Sequence, residues 1–141
     1  MKSDWWRDDS GSVSAFVLGV TMGILALAGL TLDGGLALAA KVKANGQAEA
    51  AARAGAQAID LAAYRTSNQL KLLPTQAVAN AQNHLASNGA SGTVSISGNT
   101  VTVTITASQH TQLLGLFGVS SFTVHGTGHA HPQRGVLTIE P

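Results

Sequence analysis

LTLDGGLALAAKVKANGQAEAAARAGAQAID, residues 30–60, decides the fold, because the apolar run before it either stops at Asp33 or continues into a longer helix. The polar residues Glu49, Arg53, Gln57 and Asp60 recur at steps of four, four and three, the spacing of one helical face. Glu49 stands four residues before Arg53, an order that contributes a few tenths of a kcal/mol to a helix. The opposite face carries only small residues: Ala37, Ala40, Ala44, Ala48, Ala51, Gly55, Ala58 and Ala62. Traced backwards in phase, this row runs through Asp33, Leu30, Ala26, Gly23 and Gly19 to Ala15, giving 13 steps across 47 residues. That is about 3.6 residues per step, one α-helical turn. The spacing predicts a single helix from about Ser12 to about Tyr64. Gly34 and Gly35 each cost roughly 1 kcal/mol relative to alanine in a helix interior, which favours a local bend without requiring a break.

Upstream, Val13 to Leu32 contains no charged residue. A helix of that length covers about 30 Å, the thickness of a bilayer hydrocarbon core. Trp5 and Trp6 precede it, where amphipathic rings suit the headgroup layer. Lys2 and Arg7 on one side are matched by Lys41 and Lys43 on the other, so the positive-inside rule gives no orientation. Ala37-Leu38-Ala39 has the small-x-small form read by signal peptidase, and cleavage after Ala39 would release a soluble domain. Gly19 and Gly23 form a G-x-x-x-G pair, the spacing that lets two membrane helices approach closely. Asp33 falls on the same small-residue row. It reads either as a marker of the water interface or as the partner of a cation or free amino terminus on an adjacent subunit.

Beyond a polar loop, Pro74-Thr75-Gln76 starts a short helix with Ala77, Val78, Ala81 and Leu85 on one face and Asn88-Gly89 as its stop. TVSIS and TVTVTIT then alternate strictly around Gly98-Asn99, a two-residue hairpin turn. Pairing Ser97 with Thr100 sets Ile96 opposite Val101 and Val94 opposite Val103, so both strands present one apolar face. LLGLFGV predicts a helical turn plugging one end of the sheet with Leu113, Leu114, Leu116 and Phe117. In a third strand, FTVHGTGHAH, Phe122, Val124, Gly126, Gly128 and Ala130 face one side, and His125, Thr127, His129 and His131 the other. The fold class is α+β, with a long helix that is first transmembrane and then extramembrane, a short second helix and a small three-stranded antiparallel sheet. The segments are a leader or cytoplasmic stretch (1–11), a transmembrane helix (12–33), its extramembrane continuation (34–66), an outer domain (67–131) and a mobile tail (132–141). So small a domain is not expected to cover the alanine face, which points to a neighbouring chain.

The 141 residues are 45% hydrophobic but only 4% aromatic, so any core outside the membrane segment is thin. There is no cysteine, which excludes disulfides and thiolate metal sites. Residues 1–33 carry two basic and four acidic side chains and the remainder six basic and three acidic, too little positive charge for nucleic acid. His125, His129 and His131 share one strand face, a weak metal-site candidate with no Asp or Glu near them in sequence. No nucleophile elbow, phosphate loop or HExxH motif is present. Five of the seven carboxylates lie in the leader, at the membrane edge or in the last two residues, leaving Glu49 and Asp60 for acid/base work on an exposed face. No catalysis and no cofactor are expected.

The stretch from GSV (11–13) through LTLDGG (30–35) to QAEAAARAGA (47–56) resembles the amino-terminal region of TadE/TadG-like proteins of the bacterial tight-adherence (Flp pilus) machinery. TASQHTQLLGLFGVSSFTVHGTGHA (106–130) resembles the carboxy-terminal part of the same proteins. The resemblance implies a pilin-like fold and a membrane-anchored pseudopilin or minor pilin, assembled with a secretion ATPase and an inner-membrane platform. It places the chain in the bacterial cytoplasmic membrane with its carboxy-terminal domain outside. It also implies possible leader cleavage between Gly11 and Ser12. The chain departs from the pilin pattern at Phe16, where a glutamate is usual. The alternative expectation is a surface-anchored or secreted binding module freed by cleavage near Ala39.

Overall fold

The computed structural model describes residues 10–133. In chain order the elements are α1 (Ser10–Ala56), α2 (Leu61–Ser67), α3 (Pro74–Ser87), β1 (Gly92–Ser97), β2 (Thr100–His110), a 3-10 turn (Leu114–Phe117) and β3 (Ser121–Ala130). This is the α+β layout expected from the sequence. Trp5, Trp6 and most of the expected leader lie outside the described residues, as does the tail beyond Gln133. Gly11 and Ser12 fall in the first turn of α1.

α1 runs unbroken through Asp33-Gly34-Gly35 for 47 residues, about 70 Å at 1.5 Å per residue. The helix itself satisfies the threonine hydroxyls of its apolar half: Thr21 donates to the Val17 carbonyl at 2.8 Å and Thr31 to the Leu27 carbonyl at 2.9 Å. The helix ends at Ala56, short of the expected Tyr64. The cause is Asp60, which the periodicity assigns to the polar face but which caps a new helix instead. Its backbone is extended and its carboxylate accepts the N–H groups of Ala62 and Ala63. Ile59 meanwhile pairs with Leu72 in an isolated antiparallel bridge, and Asn68 closes α2 in the left-handed conformation. Asn99 fastens the returning loop to the hairpin by accepting from Leu72 N–H and donating to the Leu70 carbonyl, both at 2.8 Å.

The sheet has the order β1-β2-β3, antiparallel throughout. The hairpin register is the predicted one, Ser97 with Thr100, Ile96 with Val101 and Val94 with Val103. Gly98, at φ 58°, supplies the positive dihedral that the two-residue turn requires. Val101, Val103 and Ile105 of β2 are buried, and each such side chain contributes roughly 1.5–3 kcal/mol when fully removed from water. Facing them are only alanines from α1 (Ala44, Ala48, Ala51, Ala52 and Ala56), with Ala77, Ala81 and Leu85 from α3.

So thin a core works because β3 presents glycine, Gly126 and Gly128, where α1 crosses its middle. A Cβ on Gly126 would stand 2.4 Å from the Ala44 carbonyl carbon, and one on Gly128 would stand 2.2 Å from the Glu49 nitrogen. The backbone of α1 therefore rests on the backbone of β3. The spacing matches, since four helical residues rise about 6 Å and two strand residues about 6.8 Å. Asn45 completes the seat by accepting the Thr127 N–H at 3.2 Å.

The LLGLF segment does not plug the sheet. It turns back across α1, where Leu113 lies against Gly29 and the Asp33 carboxylate takes up the turn's N–H groups. The Phe117 side chain, expected in the plug, lies outside the described ones.

Candidate helix-packing site

The small-residue row on α1 divides into two parts with different surroundings. Ala44, Ala48, Ala51 and Gly55 are buried, and Ala37 and Ala40 half-buried, under the chain's own sheet, α3 and loops. This corrects the expectation that another chain must cover them. The glycines of β3 are the reason, because at Gly126 and Gly128 the strand backbone itself can approach the helix. The upper part is bare. Ala15, Gly19, Gly23 and Ala26 are exposed, and nothing lies within 4 Å of where a Cβ would stand on Gly19 or Gly23.

Around this row the helix is apolar on every side. Phe16, Leu18, Met22, Leu25 and Leu27 are all more than half exposed, and only 6% of the most apolar window is buried. So large a continuous apolar surface is not left facing water by a soluble monomer. α1 is long and apolar enough to cross a membrane, and the uncovered surface is compatible with a single-pass anchor.

Asp33 is 2% exposed and is the only buried charged side chain among the described residues. One carboxylate oxygen accepts the Gln112 N–H at 2.7 Å. The other accepts Leu113 at 3.1 Å and Leu114 at 2.7 Å. Three backbone donors aimed at one carboxylate resemble a helix N-cap supplied from a distant segment. The expected ion pair to an adjacent subunit is thereby corrected: both oxygens are engaged within the chain and closed off from outside. Gly29, one turn earlier, provides the space for Leu113, with 3.2 Å between its Cβ position and the Leu113 Cβ. The clasp was not legible in sequence, since its partners lie 79 to 81 residues away.

The histidines stay apart from one another. His129 Nδ1 lies 2.9 Å from the Thr102 hydroxyl and His125 Nδ1 lies 3.2 Å from the Thr106 hydroxyl, each the cross-strand neighbour set by the register. His131 pairs with Gln133. Among the described residues no three His, Asp or Glu side chains converge as a metal site would require. Glu49 is joined to Arg53 at 3.2 Å on the exposed face, and Asp60 is taken up as a helix cap. Comparison of the chain with protein-family models, with curated proteins and with solved structures gives no match.

Proposed function

We propose that the chain is a non-enzymatic, single-pass membrane subunit, a pseudopilin or minor pilin of a tight-adherence type pilus or secretion assembly. It stands in the bacterial cytoplasmic membrane with its sheet domain on the extracytoplasmic side. Its partners are other pilin-like subunits and the assembly platform. The observation that carries this reading is the division of the helix seam. The lower half is filled by the chain's own sheet, while Gly19 and Gly23 stand open at the spacing that brings membrane helices together. A helix that served only as an anchor would need no such row. The resemblance in GSV, LTLDGG and QAEAAARAGA supports the same assignment.

The test is the double substitution Gly19→Leu with Gly23→Leu. Neither position touches the outer domain, so folding and membrane insertion are expected to stay normal. Assembly with neighbouring subunits should fall about tenfold or more, the consequence of losing about 1.4 kcal/mol of helix packing. Co-purification from membranes measures it, and unchanged recovery of partners would remove the packing claim.

Release as a soluble binding module receives no support from the geometry. The Ala39–Ala40 bond lies inside continuous helix, and a cut there would discard Asp33 and with it the anchor of residues 112–114.

A further inference from the structure

The segment from Thr111 to Val119 sits at an unexpected height. Asp33 fixes its start, and from there it follows α1 back toward the amino terminus. Leu113, Leu114 and Leu116 line an apolar groove of about 330 Å³ together with Met22, Leu25 and Ala26 of the helix. Met22 lies 11 residues before Asp33, about 16 Å along the axis.

Suppose the bilayer surface stayed beneath this loop, at the level of Met22. The uncharged helix left for the membrane would be Ser10 to Thr21, twelve residues, about 18 Å and well short of a hydrocarbon core of about 30 Å. Only the full run from Val13 to Leu32 is long enough, and it carries the loop into the bilayer with it.

Backbone placed in lipid must have its polar groups satisfied internally, and most of this loop's N–H groups are taken up within the chain. Asp33 accepts the N–H groups of Gln112, Leu113 and Leu114. Leu116 N–H donates to the Leu113 carbonyl at 3.1 Å, Gly118 to Gly115 at 3.2 Å and Val119 to Leu114 at 3.1 Å. Thr111 closes the neck with its N–H on the Ser120 carbonyl and its hydroxyl on the Val119 carbonyl. Leu116 is 81% exposed, and polar residues, Thr111-Gln112 and Ser120-Ser121, flank the apolar tip on both sides.

We infer that the Thr111–Val119 loop is a second membrane element, a dip that places Leu113, Leu114 and Leu116 among lipid acyl chains beside the single helix. Asp33 is the device that makes the dip possible. The inference rests on the reading of α1 as a membrane span, and it is independent of the pilus assignment.

The absence of cysteine allows a direct experiment on the full chain. Single variants Leu116→Cys, Val17→Cys and Thr127→Cys each carry a nitrobenzoxadiazole dye and are reconstituted at low protein-to-lipid ratio in phosphatidylcholine vesicles. Half of the vesicles have bromine on the acyl chains. Because the Leu116 side chain is exposed, its replacement leaves the clasp intact. The expected result is blue-shifted emission and strong bromine quenching at positions 17 and 116, and neither at 127. Quenching at 17 with a water-like or unquenched signal at 116 overturns the dip, and in the unquenched, blue-shifted case identifies a neighbouring chain as the cover. Absence of quenching at 17 overturns the membrane span itself and the dip with it.

Discussion

Replacing one carboxylate oxygen of Asp33 by an amide nitrogen would turn a donor toward backbone donors that are already aimed at it. Asp33→Asn keeps the volume but breaks at least one of three contacts of 2.7–3.1 Å. Losing a hydrogen bond to a charged group in a buried site costs about 1.5–3 kcal/mol. Hydrogen exchange at Gln112, Leu113 and Leu114 should accelerate and the unfolding midpoint in micelles should drop, with membrane insertion unchanged. Unaltered exchange at those three amides would reduce Asp33 to a boundary marker. The place of this residue on the helix was readable, because its phase with Ala37 and Leu30 follows from spacing alone. Its partners were not. Backbone N–H groups are present at almost every position, and TQLLGL carries no side-chain feature that announces which carboxylate will collect them.

The strands were the most legible elements, since alternation and the Gly98-Asn99 turn fix the register with no reference to the rest of the molecule. The end of α1 was misread for a physical reason. An aspartate at helical spacing and an aspartate about to cap a new helix look alike until the backbone around it is seen. The seat of α1 on β3 was half visible: the inward placement of Gly126 and Gly128 follows from period two, but the meaning of two absent side chains does not. Gly128→Val tests that meaning at the level of the two elements. The new branches would meet the helix backbone, not a flexible side chain, and overpacking of that kind costs about 3 kcal/mol or more. Thermal unfolding should show a lowered midpoint, and proteolysis should open sites in the half of α1 that follows Asp33. A variant as stable as the parent would mean that the close approach of helix and strand does not depend on glycine.

At the level of the whole molecule, one helix serves two environments, and the change between them is abrupt. Before Asp33 its surface is apolar and bare except where the Thr111–Val119 loop lies on it, and after it a thin layer of alanine lies beneath a sheet. The composition announced the thin core, but the domain looked too small to fill it until β3 was seen to contribute backbone in place of side chains. Intact-mass measurement of the native chain should find α1 retained through Ala39, because the outer domain depends on residues before that point. A native amino terminus at Ala40 would contradict it. The contacts between Asp33 and residues 112–114, and between Ala44 and Gly126, join the early part of the chain to the late part. During synthesis the helix is complete long before either partner leaves the ribosome. As a membrane span it would enter the bilayer with its alanine face uncovered, and that cover is completed only by β3, the last regular element among the described residues. Between those two moments the growing chain carries an unpaired buried-type surface outside the membrane, the interval in which a holding factor or a neighbouring subunit has its best opportunity to bind.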